Sequence, residues 1–428
     1  MLLMLAALLP AIDLQDPEWP QWRGPTRDGV WSEPAARASL PDTLTPKWRT
    51  KIGSGYCGPT IADGRVYVMD RVDEPNEIER VHCFAWETGA PIWSHEYDSA
   101  YIGVSYKAGP RCSVQVLDGL AYSLGTMGHL FCFDAASGEV RWRKDLGSEY
   151  KIDMPIWGIS AAPVIEGEHL IVPVSGKDAY LVAFDRKTGK EQWRAFSDRG
   201  NYSAPIVINH AGERVLVCWS GDRVLGVAPT TGELHWQYPL KAKNMPLACA
   251  APVLHQDKLF LTAFYDGCAL LELDPQKLSV RELWRRRGRN ERSTDGLHSI
   301  ISTPIAIEDH IYGVDSYGEL RCLSIKDGSR VWEDRTAVPR ARWATIHFVK
   351  NADRVWMFND RGELLISKLT PNGFEELDRA KLLKPTRGQL NRRDGVCWSH
   401  PGFAYGHVFA RNDEELVCAD LRAPANAK

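Results

Sequence analysis

Short apolar runs separated by polar turns recur along this chain, and the clearest group lies in residues 111–147. Cys112–Leu117 reads as one strand, Leu120–Gly125 as a second and His129–Asp134 as a third. Ala135, Ala136, Ser137 and Gly138 then turn the chain into a fourth strand that ends on Trp142. The runs are apolar on both faces, as expected where each sheet is covered by a neighbour on either side. The same group returns at intervals of roughly 40–50 residues, the spacing of propeller blades. Units fall at 57–97, 111–147, 159–197, 202–241, 248–287, 298–336, 341–384 and 396–422.

Each unit is punctuated alike. Trp93, Trp142, Trp193, Trp236 and Trp332 stand four residues after a turn glycine, and Trp284 follows a longer turn. A large indole at the outer end of a blade can fill the wedge between diverging neighbours, burying on the order of 150–250 Å². Pro59, Pro163, Pro205, Pro252 and Pro304 open the first strands. Proline donates nothing to a ladder, which places those strands at the inner edge beside an axis. The last unit stops after Asp420 without a fourth strand, whereas Leu44–Arg49 upstream ends on just such a tryptophan, Trp48. Pairing of that N-terminal strand with the C-terminal blade closes the ring and removes two sheet edges. The expected fold is all-β, an eight-bladed β-propeller of four-stranded antiparallel blades over 44–422.

Residues 13–43 have little periodicity. They are expected to pack on the ring through Trp19, Trp22 and Trp31, with Arg23 and Arg27 either clamping the segment or pointing into a ligand site. Residues 1–12 are apolar but too short to span a bilayer and read as an export signal, the alternative being an ordinary apolar N-terminus that leaves the chain cytoplasmic. Residues 423–428 read as a disordered tail. With 52 Lys+Arg against 55 Asp+Glu the net charge is -3, so bulk attraction to nucleic acid or an anionic membrane is not expected. Cys83, Cys132, Cys322 and Cys418 recur at one point of the repeat and are expected to act as small buried hydrophobes. Cys57, Cys112, Cys249 and Cys397 form a second set, where disulfides between blades stay open as an alternative. No CxxC pair, zinc spacing, G-x-S-x-G elbow or H-E-x-x-H helix occurs.

The turn Asp185-Arg186-Lys187-Thr188-Gly189-Lys190-Glu191-Gln192-Trp193 and the Ala-Pro-Val strand starts resemble the PQQ-like β-propeller repeat family. That family holds BamB-like and quinoprotein-like propellers, and the resemblance covers roughly 45–422. The opening Trp19-Pro20-Gln21-Trp22-Arg23-Gly24-Pro25 is similar to one common in propellers of planctomycete-type bacteria. The BamB-like side implies an exported, periplasmic, non-catalytic scaffold, probed by a protein or cell-envelope partner, monomeric and not integral to the membrane. The quinoprotein side implies a PQQ-dependent dehydrogenase with calcium, an adjacent Cys-Cys disulfide and a catalytic Asp. No adjacent cysteines occur here. The scaffold without a cofactor is therefore the expectation, and a dehydrogenase-like or other enzyme at the channel mouth is the alternative.

Long interblade segments at 99–111, 147–158, 287–298 and 384–400 exceed what ring closure requires, and such loops cap a pocket or meet a partner. They and equivalent points of other blades carry Tyr106, Lys107, Arg111, Trp157, His298, Arg342, Trp343, His347, Arg392, Trp398 and His400. These form the candidate ligand or partner face. A charged, aromatic mouth suits a sugar-like, polyanionic or peptide ligand. The competing role for each is capping strands and plugging the channel.

Overall fold

The computed structural model describes residues 17–34 and 36–423. The expected leader at 1–12 and nearly all of the expected tail lie outside them. The described chain forms eight four-stranded antiparallel sheets, and within seven of them the strands neighbour one another in chain order. The eighth sheet pairs Trp48–Lys51 with Glu415–Asp420, so the ring closes as the sequence suggests. Trp48 faces Cys418 and Lys51 faces Glu415. Buried Arg411 fastens this junction from within: its Nη1 donates to Met69 O of the first blade at 2.7 Å and its Nε to Asn412 O at 2.9 Å. One short helix, Leu146–Tyr150, interrupts the β pattern between the second and third blades.

The turn-glycine and tryptophan pattern has a specific cause. The indole of one blade donates to a turn carbonyl of the next: Trp48 to Trp86 O at 2.8 Å, Trp93 to Ala135 O at 3.0 Å, Trp142 to Arg186 O at 3.0 Å. Trp193, Trp284 and Trp332 do the same to Pro229, Ile325 and Thr370. Except for Trp332, the ring then lies over the next turn's glycine. A Cβ at Gly138 would fall 2.6 Å from Trp93, and one at Gly189 2.7 Å from Trp142, at φ of +76° and +69°. Left-handed backbone and lack of space both require glycine there. The fifth blade has the longer turn without that glycine, and the preceding indole reaches it by relay. Trp236 donates to His210 Nδ1 at 3.1 Å, and His210 Nε2 meets Asp274 O at 2.9 Å.

A bulge beside the tryptophan aims each indole. Cys83 faces Trp93 whereas Phe84 faces Pro91, leaving Ile92 unpaired, and the same shift recurs in the other blades that carry the tryptophan on this strand. The residue opposite the indole is mostly small: Cys83, Cys132, Ala183, Gly226, Cys322 and Cys418, with Leu270 the exception. This accounts for the periodic cysteines. All ten cysteines are free, and burial pushes their thiols up, Cys322 to about 11 and Cys83 to about 12.

The inner strands are shorter than the sequence suggests. In the second blade only Gln115–Leu117 joins the ladder, not Cys112–Leu117. Ser113 lies before that ladder, and its hydroxyl donates across the axis side to Gly58 O at 2.9 Å. The free edges of these strands are taken by the N-terminal segment. Trp19 exchanges backbone bonds with Ile61, Val116 N donates to Pro20 O, Lys350 N to Gly29 O and Trp31 N to Lys350 O. Trp19 and Trp31 are each 1% exposed against Phe403. The segment thus bridges the first, second and seventh blades at the end where inner strands turn outward.

Candidate functional site

A cavity of about 190 Å³ occupies the axis above this segment. Trp19, Trp22, Arg23 and Gly29 supply its floor. Its wall comes from the residues that lead into the inner strands. Counting back three positions from the strand-opening proline reaches Tyr56, Ser160, Tyr202, Cys249, Ile301 and Trp398, and all line the cavity. Counting back one position reaches Ala162, Ala204, Thr303 and His400, which also line it. Alternate residues of an extended chain point the same way, so the entries to the third, fourth, sixth and eighth blades each send two side chains inward, and those to the first and fifth send one.

Of the candidates read from sequence, Tyr106, Arg111, Trp157, Trp343, His347, Trp398 and His400 line this one cavity. Tyr106 packs edge-on to Trp157 and Trp343 with ring centroids 5.8 Å away in each case, and Trp398 lies 6.4 Å from Trp343. Tyr106 and Trp343 hold left-handed backbone, φ +56° and +68°, an uncommon conformation for bulky residues. Arg392 sits 4.5 Å from the Trp343 ring and Arg342 4.4 Å from it, so both guanidiniums brace the wall from outside. Arg342 is also paired with Glu291 at 2.7 Å. Lys107 lies apart, on a shallower depression with Arg71 and Glu77. His298 is buried in the loop beside the sixth blade, where Nδ1 meets Phe264 O at 3.0 Å and Nε2 accepts from Gly288 N at 3.1 Å. Its place is structural.

Arg111 lines the cavity, but its guanidinium is committed. Nη2 donates to Ser105 O and Tyr106 O, Nη1 to Gly109 O and to Thr126 Oγ1, and the plane lies 4.9 Å from the Tyr56 ring. It holds the 99–111 loop in shape. Arg23 differs. Its Nε donates to Arg27 O and its Nη2 to Asp28 O, while among the described residues Nη1 has no protein partner and no carboxylate lies within ion-pair distance, Asp28 acting on it from further off. Desolvation pushes its pKa down to about 10, which leaves it cationic at neutral pH. Arg27 is tied to Pro163 O, Ala162 O and Gln21, and both arginines lie within 6 Å of the Trp22 ring, at 5.7 and 5.9 Å.

Burial pushes His347 down to about 4 and His400 to about 3, so both imidazoles are neutral at pH 7. His347 Nε2 meets Trp398 O at 2.8 Å and His400 Nε2 meets Ser113 Oγ at 3.0 Å. The Nε1 atoms of Trp343 and Trp398 are buried without an acceptor. No Asp or Glu lines the cavity. Calcium takes hard oxygen ligands, and among the described residues no group of three or more His, Cys, Asp or Glu is placed to hold a metal. The donor set here does not fit a calcium-bound quinone, and no cysteine pair stands ready to pack on one. A Ser94–His82–Asp70 row does exist, with contacts of 3.0 and 3.1 Å, but it crosses the outer part of the first blade away from both cavities. Asp70 is there bound by Arg80 through both oxygens, which marks the row as a cross-strand polar ladder.

These features define an eight-bladed propeller whose axis is plugged at one end and opens at the other into an aromatic, acid-free cavity. The chain belongs to the family described as outer membrane protein assembly factor BamB, whose model matches residues 77–334. It is 24% identical over 204 residues to the outer membrane protein assembly factor BamB of Shewanella oneidensis, covering 47% of this chain and 50% of that protein. It is 30% identical over 169 residues to the 1-butanol dehydrogenase (quinone) of Thauera butanivorans, covering 36% of this chain and 26% of that protein. The chain therefore spans about half the length of the first relative and about a quarter of the second. Among solved structures, BamB of Moraxella catarrhalis superposes with a TM-score of 0.61 at 12% identity, over 88% of this chain and 100% of that one. A europium-containing methanol dehydrogenase superposes with a TM-score of 0.65 at 12% identity, over 92% and 89%. Likeness at such identity speaks for the fold alone.

Proposed function

We propose that this chain is an exported, non-catalytic propeller that binds a protein of the cell envelope on its loop-bearing end. One observation carries the reading: the interblade loops frame an aromatic mouth and carry exposed apolar and cationic side chains. Ile102 is 77% exposed and Ile156 45% exposed, and the two loops that bear them are joined by a hydrogen bond from Ser105 N to Ile156 O at 2.6 Å. Lys107 and Arg392 are exposed on the loops that supply Tyr106 and Trp398. Apolar anchors ringed by charge are the composition of docking surfaces. The family description, an assembly factor, supports a partner-binding role in the periplasm, and among the described residues no helix is long and apolar enough to cross a membrane.

The absence of any carboxylate from the cavity wall weighs against the dehydrogenase alternative, since no side chain there is a base at neutral pH other than two strongly depressed imidazoles. Adding PQQ and calcium to the folded protein is expected to yield no calcium-dependent oxidation of alcohols, and turnover would restore the enzyme reading. The scaffold reading is tested by capture from an envelope extract. Wild-type protein and a Val331→Glu control on an outer strand should retain one common partner that Ile102→Glu/Lys107→Glu/Arg392→Glu loses. Equal capture by all three, or capture by none, overturns it.

A further inference from the structure

The axial cavity has a chemical character of its own, independent of any protein that docks on the loops above it. Its polar groups are hydroxyls, two neutral imidazoles and one cation with a free donor, Arg23. Arg23 is 9% exposed and brings a guanidinium whose Nη1 is without a protein partner. Trp343 and Trp398, 8% and 7% exposed, bring their rings to the wall. A hydrogen bond from a guanidinium to a carboxylate is roughly twice as strong as a neutral one, so Arg23 favours an anionic acceptor. The rest of the wall is rings and aliphatic groups, including Tyr202, Phe348 and Ile301.

This inventory separates ligand classes. A neutral sugar stacks on aromatic rings but makes no use of the Arg23 charge, and among the described residues no carboxylate lines the wall to take its hydroxyls in charge-assisted bonds. A polyanion would set several charges against a single uncommitted guanidinium, because Arg111 is bound to backbone carbonyls. A flat apolar body with one negative end satisfies both the rings and Arg23. The volume, about 190 Å³, suits one or two fused rings.

We propose that the axial cavity is a binding site for a small monoanionic aromatic acid, its rings held among Trp157, Tyr202, Trp343 and Trp398 and its carboxylate on Arg23. The site is built jointly by the N-terminal segment and the blades, so the segment that seals the channel also selects the charge of what enters.

The probe is 2-naphthoate, with 2-naphthalenemethanol as its neutral counterpart, titrated by calorimetry into the full chain. Naphthoate should bind with a stoichiometry of one and at least tenfold more tightly than the alcohol, and Arg23→Gln should abolish that preference. Arg23 also shapes the N-terminal segment, so a second variant guards against misfolding: Ile301→Trp fills the cavity from a wall position outside that segment and should eliminate binding with the melting temperature unchanged. No saturable binding to folded wild-type protein, equal affinity for the acid and the alcohol, or undiminished binding by Ile301→Trp each overturns the proposal. None of these outcomes depends on the rim positions 102, 107 and 392, so failure here and failure of partner capture are distinguishable.

Discussion

At the scale of single residues, the structure turns on contacts between a tryptophan of one blade and a glycine of the next. Gly189 is confined twice over, by φ of +69° and by Trp142 at 2.7 Å from any added Cβ. Gly189→Ala should therefore cost about 2–4 kcal/mol, combining the left-handed backbone term with overpacking. Denaturant unfolding measures it, and a loss below about 0.5 kcal/mol would show that the turn relaxes freely. The buried imidazoles set a pH dependence. An unfolded histidine titrates near 6.5, whereas His347 in the fold is pushed down to about 4 by burial. Between those values the unfolded chain holds protons that the folded chain does not, so stability is full above about 6.5 and falls as pH drops. His347→Gln should flatten the decline between pH 7 and pH 5 measured by urea titration. An unchanged slope would show that other groups govern acid sensitivity.

At the scale of elements, much was legible and the reason is periodicity. The four-strand grammar of 111–147 could be read because the turn at Ala135–Gly138 and the terminal Trp142 are local signals, and His129–Asp134 is paired over just that span. The inner strand could not be read as well, since Cys112–Val114 looks like strand but serves the axis instead of the ladder. The cavity was half legible. Tyr106, Trp157, Trp343 and Trp398 stood out as aromatics in long loops, yet Tyr56, Tyr202 and Ile301 were passed over. A usable signal was present: each stands three residues before its strand-opening proline, and the alternation of an extended chain carries it to the same wall. Arg111 illustrates the opposite error. Charge and position suggested a ligand contact, but loop carbonyls take its donors, which no one-dimensional pattern displays. Arg111→Ala should accordingly loosen the 99–111 loop, seen as faster amide exchange there, with any loss of binding secondary to that. Unaltered exchange would return Arg111 to the list of free cations.

At the scale of the whole molecule, one ring is closed by its two ends and sealed at one face by a segment that precedes the first blade. Trp48 is 8% exposed between Cys418 and the Trp86 carbonyl. Trp48→Ala should cost about 3–5 kcal/mol, the range for a buried aromatic, and should bring the amides of Trp48–Lys51 from global to local exchange. If those amides exchange as slowly as before, closure rests on Arg411 and the N-terminal segment instead. Sealing one end leaves the loop-bearing face as the open approach to the axis, the face on which the proposed partner docks. The most direct measurement is hydrogen exchange on the chain with and without its captured envelope partner. Protection is predicted in 99–111, 147–158 and 384–400, with outer strands such as Arg330–Asp334 unaffected. Protection confined to the outer strands, or to the inner-strand turns at the sealed end, would contradict it.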